Sequence, residues 1–159
     1  MATVEEKMAQ VNEVLDRYEE ELGLPKFIPN NPNHDKVKDY LNMSREVLEA
    51  LSPISCAEIG TMLVNYGVHI QRAYNRENAI KGWAETSMSY YISPKVKNYR
   101  GSFDHQEMQA IREDDYSQKL LSVITKAQQR MDRLNFVATG IKALADKLDT
   151  LRMSKLGKT

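Results

Sequence analysis

The sequence predicts an all-α protein: a long antiparallel helical hairpin with two shorter N-terminal helices and coiled-coil-like packing. Three observations carry this. Two long runs, around residues 59–91 and 120–152, place a side chain suited to a packed seam at alternating four- and three-residue steps. Two shorter stripes with the same spacing precede them. Proline falls between the runs rather than within them, while Gly60, Gly67, Gly82 and Gly140 lie inside the long ones.

The first helix carries Val4, Met8, Val11, Leu15, Tyr18 and Leu22 on one stripe, and Gly23 and Pro25 should end it. Residues 1–23 therefore read as an acidic helical arm. Residues 24–35 contain LPKFIPNNPNHD, too rich in proline and asparagine for a helix or a paired strand, and read as an extended linker. Residues 36–159 form the body. Asp35 is placed to cap a second helix bearing Val37, Leu41, Ser44, Leu48 and Leu51, which Ser52 and Pro53 should stop.

Ser55 and Glu58 form a capping-box pattern at the start of the third run. Its seam is Ile59, Leu63, Tyr66, Ile70, Ala73, Glu77, Ile80, Ala84, Ser87 and Tyr91, and Pro94 should end it. Asp104 with Glu107 offers the next cap. The last seam follows at Leu120, Ile124, Ala127, Met131, Leu134, Ala138, Ile141, Ala145, Leu148 and Arg152. Each long helix would span on the order of 60 Å at ~1.5 Å per residue. A hairpin of that length cannot cover both its faces, so shorter helices or other copies must supply the missing surface. Gly60 and Gly67 lie one heptad apart on one face and are candidates for an oligomer interface, although packing inside one chain explains them equally well. Glu77, a charged residue in a seam, fixes register more readily than it performs chemistry.

Charge and composition narrow the function classes. Lys plus Arg equals Asp plus Glu, 22 against 22, so no global basic field advertises a nucleic-acid binder. Residues 1–35 hold eight acidic and three basic side chains, net −5, while the remaining 124 hold 14 and 19, net +5. The single cysteine, Cys56, excludes an intramolecular disulfide framework and a cysteine-only zinc site. With no apolar run near the ~18 residues of a membrane span, a cytoplasmic protein is expected. No phosphate-binding glycine loop, nucleophile elbow or HExxH helix is present. His34, His69 and His105 are far apart, and neither Glu58 nor Glu77 has the histidine three residues on that a di-iron bundle requires. The sequence is read as noncatalytic, without cofactor or metal.

One stretch stands out. SYYISPKVKNYRGSFD, residues 89–104, gathers Tyr90, Tyr91, Tyr99 and Phe103 around Lys95, Lys97 and Arg100. Cations that meet phosphates and aromatic faces on which bases stack, each worth ~1–3 kcal/mol, are what a nonspecific single-strand binder needs. Lys95, Lys97, Tyr99 and Arg100 are the candidate nucleic-acid contacts, with Arg152, Lys155 and Lys158 as a second set. The alternative is that the aromatic residues close the end of the bundle while the cations stay in water.

The order of features resembles the phage recombination mediators of the UvsY type. The likeness covers about residues 79–155: a long helix ending in Tyr90-Tyr91, a short glycine-containing connection, a helix opening through Glu113-Asp114-Asp115, then Arg133-Leu134-Asn135-Phe136 preceding Ile141-Lys142. Basic residues precede the tyrosine pair in that family; Ala84-Glu85-Thr86-Ser87-Met88-Ser89 stand there in this chain, so nothing before Tyr90 is carried over. The resemblance implies oligomeric rings that bind single-stranded DNA, engage the single-strand binding protein and help load a RecA-like recombinase in the host bacterial cytoplasm. The rival expectation is a phage structural or adaptor protein whose helices contact only proteins. A metal enzyme with its site between subunits is a third.

Overall fold

A computed structural model describes residues 2–157 and is all-α. Its six helices among those residues are α1 (Val4–Glu21), α2 (His34–Leu41), α3 (Arg45–Glu49), α4 (Pro53–Val96), α5 (Phe103–Arg112) and α6 (Asp115–Leu156). The long pair is α4, with 44 residues, and α6, with 42. No helix among the described residues is long and apolar enough to cross a membrane.

Several boundaries differ from the sequence expectation, each for a local reason. The second short helix divides in two, because Ser44 leaves the stripe and its hydroxyl accepts the Val47 N–H, capping α3. Asn33, not Asp35, precedes α2. Ser52 caps α4 instead of the Ser55–Glu58 pair: its hydroxyl accepts the Ser55 N–H at 3.1 Å, and Pro53 occupies the first helical position, where its missing N–H costs least. α5 is capped by Ser102 instead of Asp104. Pro94 does not end α4. The helix runs on to Val96, because burying Ile92 and Val96 against Ala110 of α5 holds the last turn in place, and the carbonyl the proline cannot serve belongs to the exposed Tyr90. Thr3 and Glu6 form a capping box on α1 that the apolar stripe alone does not reveal.

The chain folds as two compact units, each using part of α4 and part of α6. The first joins residues up to Phe27 with Asn75–Asp132; the second joins Ile28–Tyr74 with Arg133 onward.

The second unit has one continuous core. Cys56, Leu63, Tyr66 and Ile70 of α4 meet Ile141 and Leu148 of α6, and Val37 of α2 and Leu48 of α3 close the cluster. Gly67 faces Ile141, while Lys155 reaches back to the residues just before α4, so the two helices run antiparallel here. The Lys155 ammonium donates to the carbonyls of Glu49, at 2.7 Å, and Leu51. It satisfies backbone acceptors at and beyond the end of α3, a five-residue helix that could not close its own last turn.

The first unit has two small clusters instead. Val4 packs with Ala84 and Leu120, and Ile92 and Val96 pack with Ala110. Polar links hold the helices around them. Seam residue Glu77 accepts from the Arg130 guanidinium at 2.8 Å across the α4–α6 pair. Arg76 reaches Asp16 at 2.9 Å and Glu19 at 3.2 Å on α1, and stacks over Phe27 at 5.0 Å.

Candidate nucleic-acid interface

The end of α4, the connection after it and α5 all belong to the first unit, so the 89–104 stretch has a defined geometry. α4 stops where the Asn98 and Tyr99 N–H groups bond the Lys95 and Val96 carbonyls at 3.1 and 3.2 Å. Gly101 follows with φ +107°, a conformation that side chains resist, and an added Cβ would lie 3.0 Å from the His105 ring. The Ser102 hydroxyl then caps α5 through the His105 N–H.

This turn splits the candidate residues into two groups. The first group is spoken for. Asp114, which ends the α5–α6 connection and caps α6 through the Ser117 N–H at 2.7 Å, also accepts from Lys95 at 3.1 Å and from the Tyr91 hydroxyl at 3.2 Å. Lys95 sits in the last turn of α4, one helical turn after Tyr91, and its ammonium lies 4.0 Å from the centre of that ring. Burial pushes the Asp114 carboxyl upward, but hydrogen bonds from Ser117, Lys95 and Tyr91 outweigh it and hold the group below its ordinary range. The hydrogen bond to Asp114 correspondingly raises Lys95. Tyr99 donates its hydroxyl to Glu113 at 2.7 Å, which pushes the phenol up, and its carbonyl accepts from Gln106. Lys95 therefore lies within α4, past the end that Pro94 leads one to expect, and Lys95 and Tyr99 both have anionic partners within the chain.

The second group is open. Tyr90 is 80% exposed and Phe103 66% exposed. Lys97 and Arg100 are exposed, and no ion pair engages either among the described residues. Lys97 and Phe103 border a cleft of about 520 Å³, floored by Ile92 and Val96, with Glu107 as its carboxylate. Two bare aromatic faces and two bare cations thus lie within one turn-and-helix segment. Composition draws attention to Tyr90 and Phe103 but does not rank them as contacts; their exposure does.

The remaining candidates lie in the second unit or beyond the described residues. Arg152 pairs with Asp149 at 2.9 Å on its own helix. Lys155 is engaged by the carbonyls of Glu49 and Leu51, and Lys158 lies outside the described residues. An added Cβ at Gly67 would make only an ordinary contact with Ile141 at 3.9 Å, and at Gly60 it would meet nothing within 4 Å, so packing within the chain requires glycine at neither position.

No family model, curated protein or solved structure matches this chain.

Proposed function

We propose that this protein is a noncatalytic accessory factor that binds single-stranded nucleic acid, acting in the cytoplasm as a phage recombination mediator that helps load a recombinase. The observation that carries the reading is the open group at the end of α4: Tyr90 and Phe103 offer faces for base stacking, and Lys97 and Arg100 offer charge without an internal anion to neutralise it. Lys95 and Tyr99 take the supporting role of fixing the turn. The resemblance to mediators of the UvsY type supplies the recombinase and the single-strand binding protein as partners. Several copies holding one strand would offset the weakness of each neutral chain.

The test is fluorescence anisotropy of a labelled single-stranded oligonucleotide over a salt series. Lys97→Ala with Arg100→Ala should weaken binding and reduce the salt slope by about 1.4, or ~0.7 for each single-strand phosphate no longer neutralised. Tyr90→Ala should weaken binding about tenfold at every salt concentration, as removal of one stacked base would. Salt-insensitive binding, or none at low salt, sinks the reading. The adaptor function then takes its place, favoured by Val64 and Val68, one turn apart and more than half exposed on α4.

A further inference from the structure

Between α2 and α6 in the second unit lies an open groove of about 590 Å³. Its walls are apolar, with Leu41 on one side and Phe136, Val137 and Ala143 on the other, and Phe136 is 81% exposed. Among the described residues no carboxylate lines it. Lys38 stands on one wall, and Arg133, exposed and without an ion pair among the described residues, lies one helical turn before Phe136. The groove therefore suits an apolar segment carrying negative charge.

The same chain contains such a segment. Tyr18, Leu22 and Leu24 are 59%, 77% and 40% exposed, an uncovered apolar series at the end of α1 and the start of the linker. Glu20 and Glu21 stand among them, and the last turn of α1 has no basic residue. Carboxylates at a helix C-terminus repel the partial negative charge of the helix end; Arg76 of the same chain engages Asp16 and Glu19, and Glu20 and Glu21 gain from cations brought by a partner.

We propose that copies of this chain join head to tail, with residues 18–24 of one seated in the α2–α6 groove of the next. The apolar side chains of the segment cover Phe136 and Leu41, and Glu20 and Glu21 meet Lys38 and Arg133. Donor and acceptor are different surfaces, so the contact repeats from copy to copy and gives a ring where the rotation closes and a filament where it does not. Phe136 is the anchor, as exposed aromatic residues often are at interfaces.

Complementation in sedimentation, without nucleic acid, tests this independently of the function proposed above. Wild type at micromolar concentration should sediment as an assembly. Leu22→Asp with Leu24→Asp removes the donor, and Phe136→Glu removes the acceptor; all three positions are exposed, so helix content by circular dichroism should be unchanged. Each variant alone should be monomeric. An equimolar mixture should give a two-chain species, because one intact donor then meets one intact groove. As a second route, Lys38→Glu with Arg133→Glu should dissociate the assembly, and adding Glu20→Lys with Glu21→Lys to the same chain should restore it. A monomeric wild type, variants that stay assembled, or a mixture that stays monomeric would each overturn the proposal.

Discussion

The two units share the same pair of long helices, yet they are held in different ways. In the second, eight buried side chains form one cluster, with α2 and α3 adding Val37 and Leu48 to the α4–α6 seam. In the first, the buried apolar side chains are dispersed, with two clusters of three and Ile80, Ala127 and Met131 outside them, and ion pairs and hydrogen bonds at Arg76, Glu77 and Asp114 link the helices between. A heptad pattern is therefore only a frame. Apolar packing is insensitive to salt and sensitive to missing volume, whereas polar links respond to salt and pH and tolerate small changes of shape. The comparison can be broken by experiment.

The largest effect should come from the continuous core. Leu63 is fully buried in the second unit, and Leu63→Ala should cost about 3 kcal/mol or more in chemical denaturation, with little dependence on salt. A loss below about 1 kcal/mol would mean that the cluster is loosely packed. Next comes Arg76→Ala, which removes the clasp on Asp16, Glu19 and Phe27 and should cost about 1–2 kcal/mol. The loss should be local: hydrogen exchange should accelerate in α1 and not in α2 or α3. Equal acceleration everywhere would show that the first unit does not open by itself.

Asp114→Ala should cost about 1 kcal/mol by removing the cap of α6, with faster exchange in the first turn of that helix. Acid should act on the units in sequence. His69 is held below its ordinary value of 6.5, by burial first and then by the nearby Arg72 and His34. The folded second unit thus favours the neutral ring, and this contribution is complete above pH 6.5 and lost as the pH falls through the lower folded value. The Asp114 carboxyl is held below its ordinary 3.8, so its contribution to the first unit survives to lower pH and fades only as the pH falls through that depressed value. His69→Gln should abolish the earlier of the two losses, as read from tyrosine and histidine NMR signals during acidification.

The smallest effect is expected at glycines. Gly60 and Gly82 both have open space where a Cβ would stand, so changing either to Ala should stabilise its helix by about 0.5 kcal/mol. If Gly60→Ala instead lowers the sedimenting mass, Gly60 meets another chain.

The seams are legible from sequence because helical periodicity is a one-dimensional signal: Leu63, Tyr66, Ile70, Ile80, Ala84, Leu120, Ala127, Met131, Ile141 and Leu148 are all buried. Glu77 is legible as the polar exception, and it pairs across the seam with Arg130. Caps are harder, because Ser52 and Ser55, Ser102 and Asp104, and Asn33 and Asp35 compete within three residues and backbone geometry decides among them. Pro94 misleads because tertiary burial of Val96 outweighs a local preference. The candidate site is half legible. Composition locates the cations and aromatic residues, but whether each is available depends on distant partners: Asp114 lies 19 residues beyond Lys95, and Glu49 lies 106 before Lys155. Only the Tyr91–Lys95 spacing, one helical turn, hints at the clasp.

The Lys155 contact also sets an order of events during synthesis. The first unit is complete once Asp132 has emerged, but the second waits for residues 133 to 155, including the ammonium that closes α3. At roughly 5–20 residues per second that interval is a second or more. Throughout it, Leu48, Leu63 and Tyr66 have been made but their α6 partners have not. The half with the continuous core is thus the last to form, and the nascent chain is most prone to stick to its neighbours just before its final helix is finished.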